Sequence, residues 1–184
     1  IDDEGKVSEV DALVLSPAGL FLVEIKSRPG ILAGDAHSWT WTTDGRTHTY
    51  DNPLILANRK AKRLASILKR QPAITKAKIR LPFVEPAIFL SSSSLACKLQ
   101  GLAKSATFQH GQPGSLSDAG IVGALANGIA NRGTNAVDAQ QARAIARGLT
   151  EAGIRPSNKH RQVGDYKLGK LLAEGEGFQD WQAN

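Results

Sequence analysis

The sequence predicts an α/β fold, a mixed sheet flanked by helices, on three observations. Two hairpin patterns, at residues 9–26 and 37–50, supply antiparallel strands. An amphipathic helical pattern follows at residues 51–70, and an apolar run around residues 87–90 predicts a buried strand. With 184 residues, of which 41% are hydrophobic, the chain is long enough to bury the core of one domain, or of one domain plus a fragment.

The composition excludes several classes of protein. No apolar run approaches the roughly 18 residues of a membrane span, and no signal-peptide pattern opens the chain, so we expect a cytoplasmic protein without a membrane partner. The lone cysteine, Cys97, excludes an internal disulfide framework and fits a reducing cytosol. The chain contains no methionine, which we interpret as the mark of a piece of a longer protein or of a processed form.

The first hairpin pattern consists of two apolar strands, residues 9–15 and 20–26. The turn Ser16-Pro17-Ala18-Gly19 has proline and glycine at the positions where a type I turn favours them. Pairing Leu15 with Leu20 sets the register of the whole ladder. A bulge after the turn would shift this register by one residue, so the pairing remains one of two alternatives.

The first register brings four charged side chains to one face of the hairpin, because side chains alternate along a strand. Asp11 lies opposite Glu24, and Glu9 lies opposite Lys26. Two facing carboxylates repel each other, but a cation between them reverses the sign, and hard oxygen ligands suit Mg²⁺ or Mn²⁺. Lys26 would then stabilise negative charge on a phosphate or orient the attacking water. The alternative is structural, with Asp11 at a strand start and a surface pair of Glu24 and Lys26.

The second hairpin is centred on Asp44-Gly45, a strong type I′ turn signal. Its pairing places Trp41 opposite His48 and Trp39 opposite Tyr50, which makes one aromatic face. These rings could stack on nucleic-acid bases, but packing in the core or across the strands is the favoured interpretation.

A block of basic residues between Asn52 and Val84 contains no Asp or Glu. Asn52 can cap a helix whose first turn suits Pro53. A like-charged helix face of this kind points to nucleic acid, whose phosphates reward it through counterion release, and a merely solvated face is the alternative. The predicted contacts to the nucleic-acid backbone are Arg59, Lys60, Lys62, Arg63 and Arg70.

The second half of the chain is less regular. Helical patterns occupy residues 118–131 and 136–152, the latter with Asp138 near its start and Gly153 as a stop. The Ser- and Gly-rich segment 91–117 gives no assignment. The predicted organisation is a first domain at 1–115, a helical extension at 116–153, a basic linker at 154–163 and a further segment at 164–184.

Residues 1–90 resemble a known family. The string "EVDALVLSPAGLFLVEIKSRPGILAG", a Trp-containing hairpin, and then "DNPL" with a basic helix are similar to the nuclease-related domain (NERD) of the PD-(D/E)xK superfamily. The resemblance implies a restriction-endonuclease-like mixed central sheet flanked by helices, with Asp11 and Glu24 as ligands of Mg²⁺ or Mn²⁺ and Lys26 as a catalytic residue. Two departures are Leu56, where many members carry Gln, and the acid-bearing helix that usually precedes the hairpin, which is absent or cut away before Ile1.

The last stretch, "YKLGKLLAEGEGFQDWQA", resembles the first strand and glycine-rich loop of a protein kinase. Gly175 and Gly177 match the first two glycines of the loop that approaches ATP phosphates, and Asp180 departs from the third. Nuclease-related domains occur fused to serine/threonine kinases, including in phage defence. An ordinary glycine-containing turn is the alternative, and ATP would belong only to the parent kinase.

Together these features predict a metal-dependent nuclease-like domain that acts on DNA phosphodiester bonds, as the N-terminal part of a kinase fusion in phage defence. The alternative is a non-cleaving module that binds or senses nucleic acid and positions the downstream kinase. A third hypothesis is a platform for other phage-defence proteins. We expect DNA as the main partner.

Overall fold

The computed structural model describes residues 9–112, 119–129 and 135–155, and the backbone of residues 162–163, 166–175 and 178–183. The chain divides into two compact units, residues 1–152 and 153–184. The described elements, in chain order, are β1 (Ala12–Ser16), β2 (Gly19–Lys26), β3 (Gly30–Gly34), β4 (Ser38–Thr43), β5 (Arg46–Asp51), α1 (Pro53–Lys69), α2 (Pro72–Thr75), β6 (Val84–Leu90), β7 (Leu95–Cys97), a short 3-10 helix (Gly101–Lys104), β8 (Thr107–Phe108), α3 (Gly120–Asn127), α4 (Ala139–Glu151), β9 (Gln162–Val163), β10 (Tyr166–Gly175) and β11 (Phe178–Ala183).

The predicted α/β fold class is confirmed, with the strands of the first unit divided between two mixed sheets of four. The first sheet has the order β1-β2-β6-β8; β1 runs antiparallel to β2, and the other pairs are parallel. The second sheet has the order β5-β4-β3-β7, in which only β3 and β7 are parallel.

The predicted register of the first hairpin is confirmed, since Leu15 pairs with Leu20 and the ladder continues without a bulge to Ala12 and Val23. Strand β2 lies inside the first sheet and is buried from Gly19 to Glu24. On one face of this sheet, a core cluster contains Phe21 and Val23 with Ala87 of β6 and Ile121 of α3. Helix α1 packs on β2 and β6. Because side chains alternate, Leu20, Leu22 and Glu24 share the face opposite the cluster, and the contact from α1 to Glu24 shows that α1 covers it.

The second hairpin also pairs as predicted, with Trp41 opposite His48 and Trp39 opposite Tyr50. Trp39 and Trp41 are buried, so the packing interpretation holds for these two rings, whereas Tyr50 is exposed. The hairpin belongs to the second sheet, where β3 pairs with β4 on the side away from β5.

Helix α1 begins where the sequence predicts. The Asn52 side chain accepts a hydrogen bond from the N–H of Leu54 at 2.9 Å and donates one to the carbonyl of Ala36 at 3.1 Å. It thus caps the helix and ties it to the turn between β3 and β4. The buried stripe of the helix is Ala57, Ala61, Leu64 and Leu68.

Two further helices complete the first unit. Helix α4 begins at a capping box made by Asp138 and Gln141 and ends before Gly153, whose φ of 71° only glycine adopts readily. It packs against α1 and α2, and α3 packs against β1. The segment that the sequence left unassigned contains β7, the short 3-10 helix and β8.

In the second unit, β10 pairs antiparallel with both β9 and β11. Gly175 ends β10, and Gly177 lies outside the described residues. A glycine-rich loop that binds ATP phosphates connects two paired strands, and β10 and β11 form such a pair. The ATP-binding role itself remains a prediction. No described helix of the protein is long and apolar enough to cross a membrane.

Candidate active site

The three predicted catalytic residues meet at the open end of the first hairpin. Lys26 is the last residue of β2, and Glu24 precedes it by two, on the same face. Asp11 lies one residue before β1, and continuing the observed register past Ala12 places it opposite Glu24. The register thus brings the three residues to one end of the hairpin, and their catalytic and metal-binding roles remain predictions.

The Asp11 carboxylate forms a hydrogen bond with the backbone of β2. Its Oδ2 atom accepts a hydrogen bond from the N–H of Ile25 at 2.7 Å. It thereby takes the place of a strand carbonyl just beyond the last pair of the β1–β2 ladder. This contact fixes the Asp11 side chain against β2 beside Glu24, and no described residue donates a hydrogen bond to its second oxygen.

Glu24 is buried, with 7% of its surface exposed, and it faces two ammonium groups. The Nζ atom of Lys60, on α1, lies 2.5 Å from its Oε1 atom. The Nζ atom of Lys26 lies 3.8 Å from its Oε2 atom. A buried carboxylate needs such compensation, because removing an ionised group from water without a partner is costly.

Lys60 lies in surroundings that the sequence does not predict. The sequence places it among the nucleic-acid contacts of α1, yet its side chain is only 19% exposed and ion-pairs with Glu24. Its Nζ atom also donates to the carbonyl of Glu9 at 2.6 Å. The signal was present in the helical spacing: position 60 lies three residues after Ala57 and four before Leu64, both on the buried stripe.

The other predicted nucleic-acid contacts lie where the sequence suggests a polar surface. Arg59, Lys62 and Arg70 are exposed, and Arg63 is half-buried. Lys60 differs from the three exposed members of the predicted set in its ion pair with Glu24. Among the described residues, no group of three or more His, Cys, Asp or Glu side chains is arranged to hold a metal ion.

A cleft of about 580 Å³ opens beside this cluster. Its lining includes Lys26, Arg28, Trp41 and Tyr50. The guanidinium carbon of Arg28 lies 5.3 Å from the ring centre of Tyr50 and 5.9 Å from that of Trp41, and Arg28 donates to the Tyr50 hydroxyl at 2.9 Å. Lys26 therefore borders both the carboxylate cluster and an aromatic cleft, which the sequence did not predict.

Comparison with known protein families identifies the class of the first half of the chain. Residues 1–91 match the family model of the nuclease-related domain, NERD. This part of the chain therefore belongs to the nuclease-related domain family, as the sequence predicts.

The chain is also similar in sequence to a protein that is named a probable kinase. Over 181 residues it is 34% identical to a protein of Streptomyces coelicolor named "Probable kinase PglW". The match covers 97% of this chain and 11% of the length of that protein. The predicted fusion of a nuclease-related domain with a kinase is consistent with this name. No solved structure matches the chain significantly.

Proposed function

We propose that the nuclease-related domain is a metal-dependent nuclease that hydrolyses DNA phosphodiester bonds. The observation that carries this proposal is the meeting of Asp11, Glu24 and Lys26 at one end of the first hairpin. Two carboxylates and a lysine beside a cleft match the chemistry that phosphodiester hydrolysis needs, namely oxygen ligands for a cation and a positive group at the phosphate.

The donor set fits Mg²⁺ or Mn²⁺ on chemical grounds, since carboxylate oxygens are their preferred ligands. Asp11 and Glu24 would hold the ion. When bound, the ion would polarise a phosphate oxygen and lower the pKa of a bound water. The Oε1 atom of Glu24 already forms an ion pair with the ammonium of Lys60. A metal ion bound by Glu24 would therefore compete with Lys60 for this carboxylate.

The remaining groups act on the substrate through charge. Lys26 borders the cleft and stabilises negative charge that develops on the phosphate. The exposed residues Arg59, Lys62 and Arg70 hold the nucleic-acid backbone, which fixes position without selecting a sequence. Until a metal ion binds, the Lys60 ammonium orients the Glu24 carboxylate and compensates its negative charge.

A second function is favoured by the same ion pair. If Lys60 stays on Glu24, the carboxylate is neutralised, and the domain binds nucleic acid without cleaving it. In that case the module would sense nucleic acid and position a kinase. We also propose that the chain is part of a larger kinase-containing protein, supported by the relative that is named a probable kinase. A role of that protein in phage defence is a further proposal, which the resemblance to kinase-fused nuclease-related domains implies.

The test is plasmid nicking by the 184-residue chain with Mg²⁺ or Mn²⁺. Wild type is compared with Glu24→Gln and Lys26→Met, and Lys104→Met serves as a control that removes an exposed lysine outside the site and outside the proposed DNA-holding residues of α1. We expect metal-dependent nicking that both site variants abolish and the control keeps. Nicking that survives Glu24→Gln would refute the nuclease assignment. Equal, salt-sensitive DNA binding by all variants without any cleavage would support the second function.

A further inference from the structure

The cleft beside Lys26 has the features of a binding site for a flat, negatively charged ligand. Its volume of about 580 Å³ lies within the range of small-ligand sites. Trp39 and Trp41 are buried in its wall, whereas Tyr50 is 46% exposed, which leaves part of its surface accessible to a ligand. The guanidinium of Arg28, over Tyr50 and Trp41, adds a planar cation.

The charges of the cleft favour a phosphate next to the flat group. Lys26 and Arg28 are cationic, and Asp51 is the one carboxylate among the described residues of the lining. Lys26 also lies 3.8 Å from Glu24, so a phosphate bound at Lys26 sits beside the proposed catalytic carboxylate. An aromatic wall, a guanidinium plane and a lysine together match a nucleobase with its adjoining phosphate.

We propose that this cleft binds one unpaired nucleotide of a single-stranded nucleic acid, with its base against Tyr50 and Arg28 and its phosphate at Lys26. A base within a duplex has both faces covered by its neighbours. Only an unpaired base can offer its face to a side chain inside a concave site. The inference rests on the proposed nuclease function and specifies its substrate as single-stranded, or locally unpaired, nucleic acid.

Binding is measured by fluorescence anisotropy in EDTA, so that cleavage plays no part. The probes are a single-stranded DNA, the RNA of the same sequence, the corresponding duplex DNA, and a single strand with abasic sites that keeps the phosphates. The variants are Tyr50→Ala, Tyr50→Phe and, as a control on the same strand outside the cleft lining, Thr47→Ala. Circular dichroism and urea unfolding check that each variant is folded.

We expect wild type to bind single strands more tightly than duplex. Tyr50→Ala should weaken single-strand binding roughly 5- to 100-fold, the usual effect of losing one stacked base. Tyr50→Phe keeps the ring and should bind within about twofold of wild type, and Thr47→Ala should be unchanged. On the abasic strand, Tyr50→Ala should make no further difference, because the base it would contact is missing.

Equal affinity for single strand and duplex would overturn the inference, as would an unchanged affinity of Tyr50→Ala. A loss of the same size on the abasic strand would also overturn it, because Tyr50 would then act on the backbone. Comparison of the DNA and RNA strands identifies which sugar the site accepts. Binding that depends on Tyr50, without any nicking, would support this inference and refute the nuclease function. Nicking that the Tyr50→Ala substitution leaves unchanged would support the nuclease function and refute this inference.

Discussion

The ion pair between Glu24 and Lys60 gives the sharpest prediction, through the substitution Lys60→Met. Methionine keeps an apolar stem of similar length and removes the ammonium. Removing one partner of a fully buried pair costs about 3–5 kcal/mol, whereas exposed pairs contribute about 0–1 kcal/mol. The side chains of Glu24 and Lys60 are 10% and 19% exposed, which places the pair near the buried limit.

The remaining partner reduces this cost. Lys26 stays 3.8 Å from the other oxygen of Glu24, so the carboxylate of the variant is not left alone. We therefore expect Lys60→Met to lower the free energy of unfolding by about 2 kcal/mol. The matched control, Lys62→Met on the exposed face of α1, should change it by less than about 0.5 kcal/mol.

Urea unfolding of a double-mutant cycle measures the interaction itself. Glu24→Gln, Lys60→Met and the double variant are compared with wild type at constant m value. We expect the double variant to lose less stability than the sum of the two single variants, by about 1 kcal/mol or more. A coupling energy below about 0.5 kcal/mol would refute the ion pair as a stabilising contact.

The same variant separates the two proposed functions. If a metal ion competes with Lys60 for Glu24, Mn²⁺ should raise the melting temperature of Lys60→Met more than that of wild type, by mass action on the folded state. The variant Glu24→Gln should lose this response. The absence of any response to Mn²⁺ in both wild type and Lys60→Met would contradict a metal site at this carboxylate.

Three further predictions concern the scaffold of the site. Asn52→Ala removes the cap of α1 and leaves the Ala36 carbonyl without its donor, so urea unfolding should show a loss of about 2 kcal/mol. Gly30→Ala should cost about 2 kcal/mol or more by the same assay, because φ is +106° and the added Cβ would meet the Thr42 carbonyl. Hydrogen bonds from the backbone N–H groups of Ser38 and His37 lower the pKa of Asp35. The stabilisation is therefore present above the ordinary carboxyl pKa of roughly 3.9 and is lost as pH falls through the lower folded-state pKa. An NMR titration of Asp35 with a midpoint at or above the ordinary value would contradict this.

The sequence predicted local elements well because their signals are local. The turn before Gly19 and the Asp44-Gly45 turn set the registers of both hairpins. The cap at Asn52 and the spacing of alanines and leucines gave α1, and Asp138 gave the start of α4. In each case, a few residues adjacent in the chain decide the structure.

The elements that the sequence did not predict depend on distant partners. Strands β7 and β8 span three and two residues, too short for any periodicity, and each forms by parallel pairing with a strand from earlier in the chain. The division into two sheets follows from such pairings. The cleft likewise combines the end of β2 with residues of the second sheet, so no single stretch of sequence contains it.

Lys60 shows how the same limit applies to chemistry. On its own helix it is one basic residue among many, and only the packing of α1 on the first sheet brings it to Glu24. Among the described residues, the cluster then brings together two carboxylates, Asp11 and Glu24, and two ammonium groups, Lys26 and Lys60. A divalent cation would add two positive charges, which the phosphate of a bound nucleic acid would offset in part. We therefore expect Lys60 to stabilise the domain in the absence of metal and to oppose binding of the proposed ion when no phosphate is present, because both effects would come from the same contact.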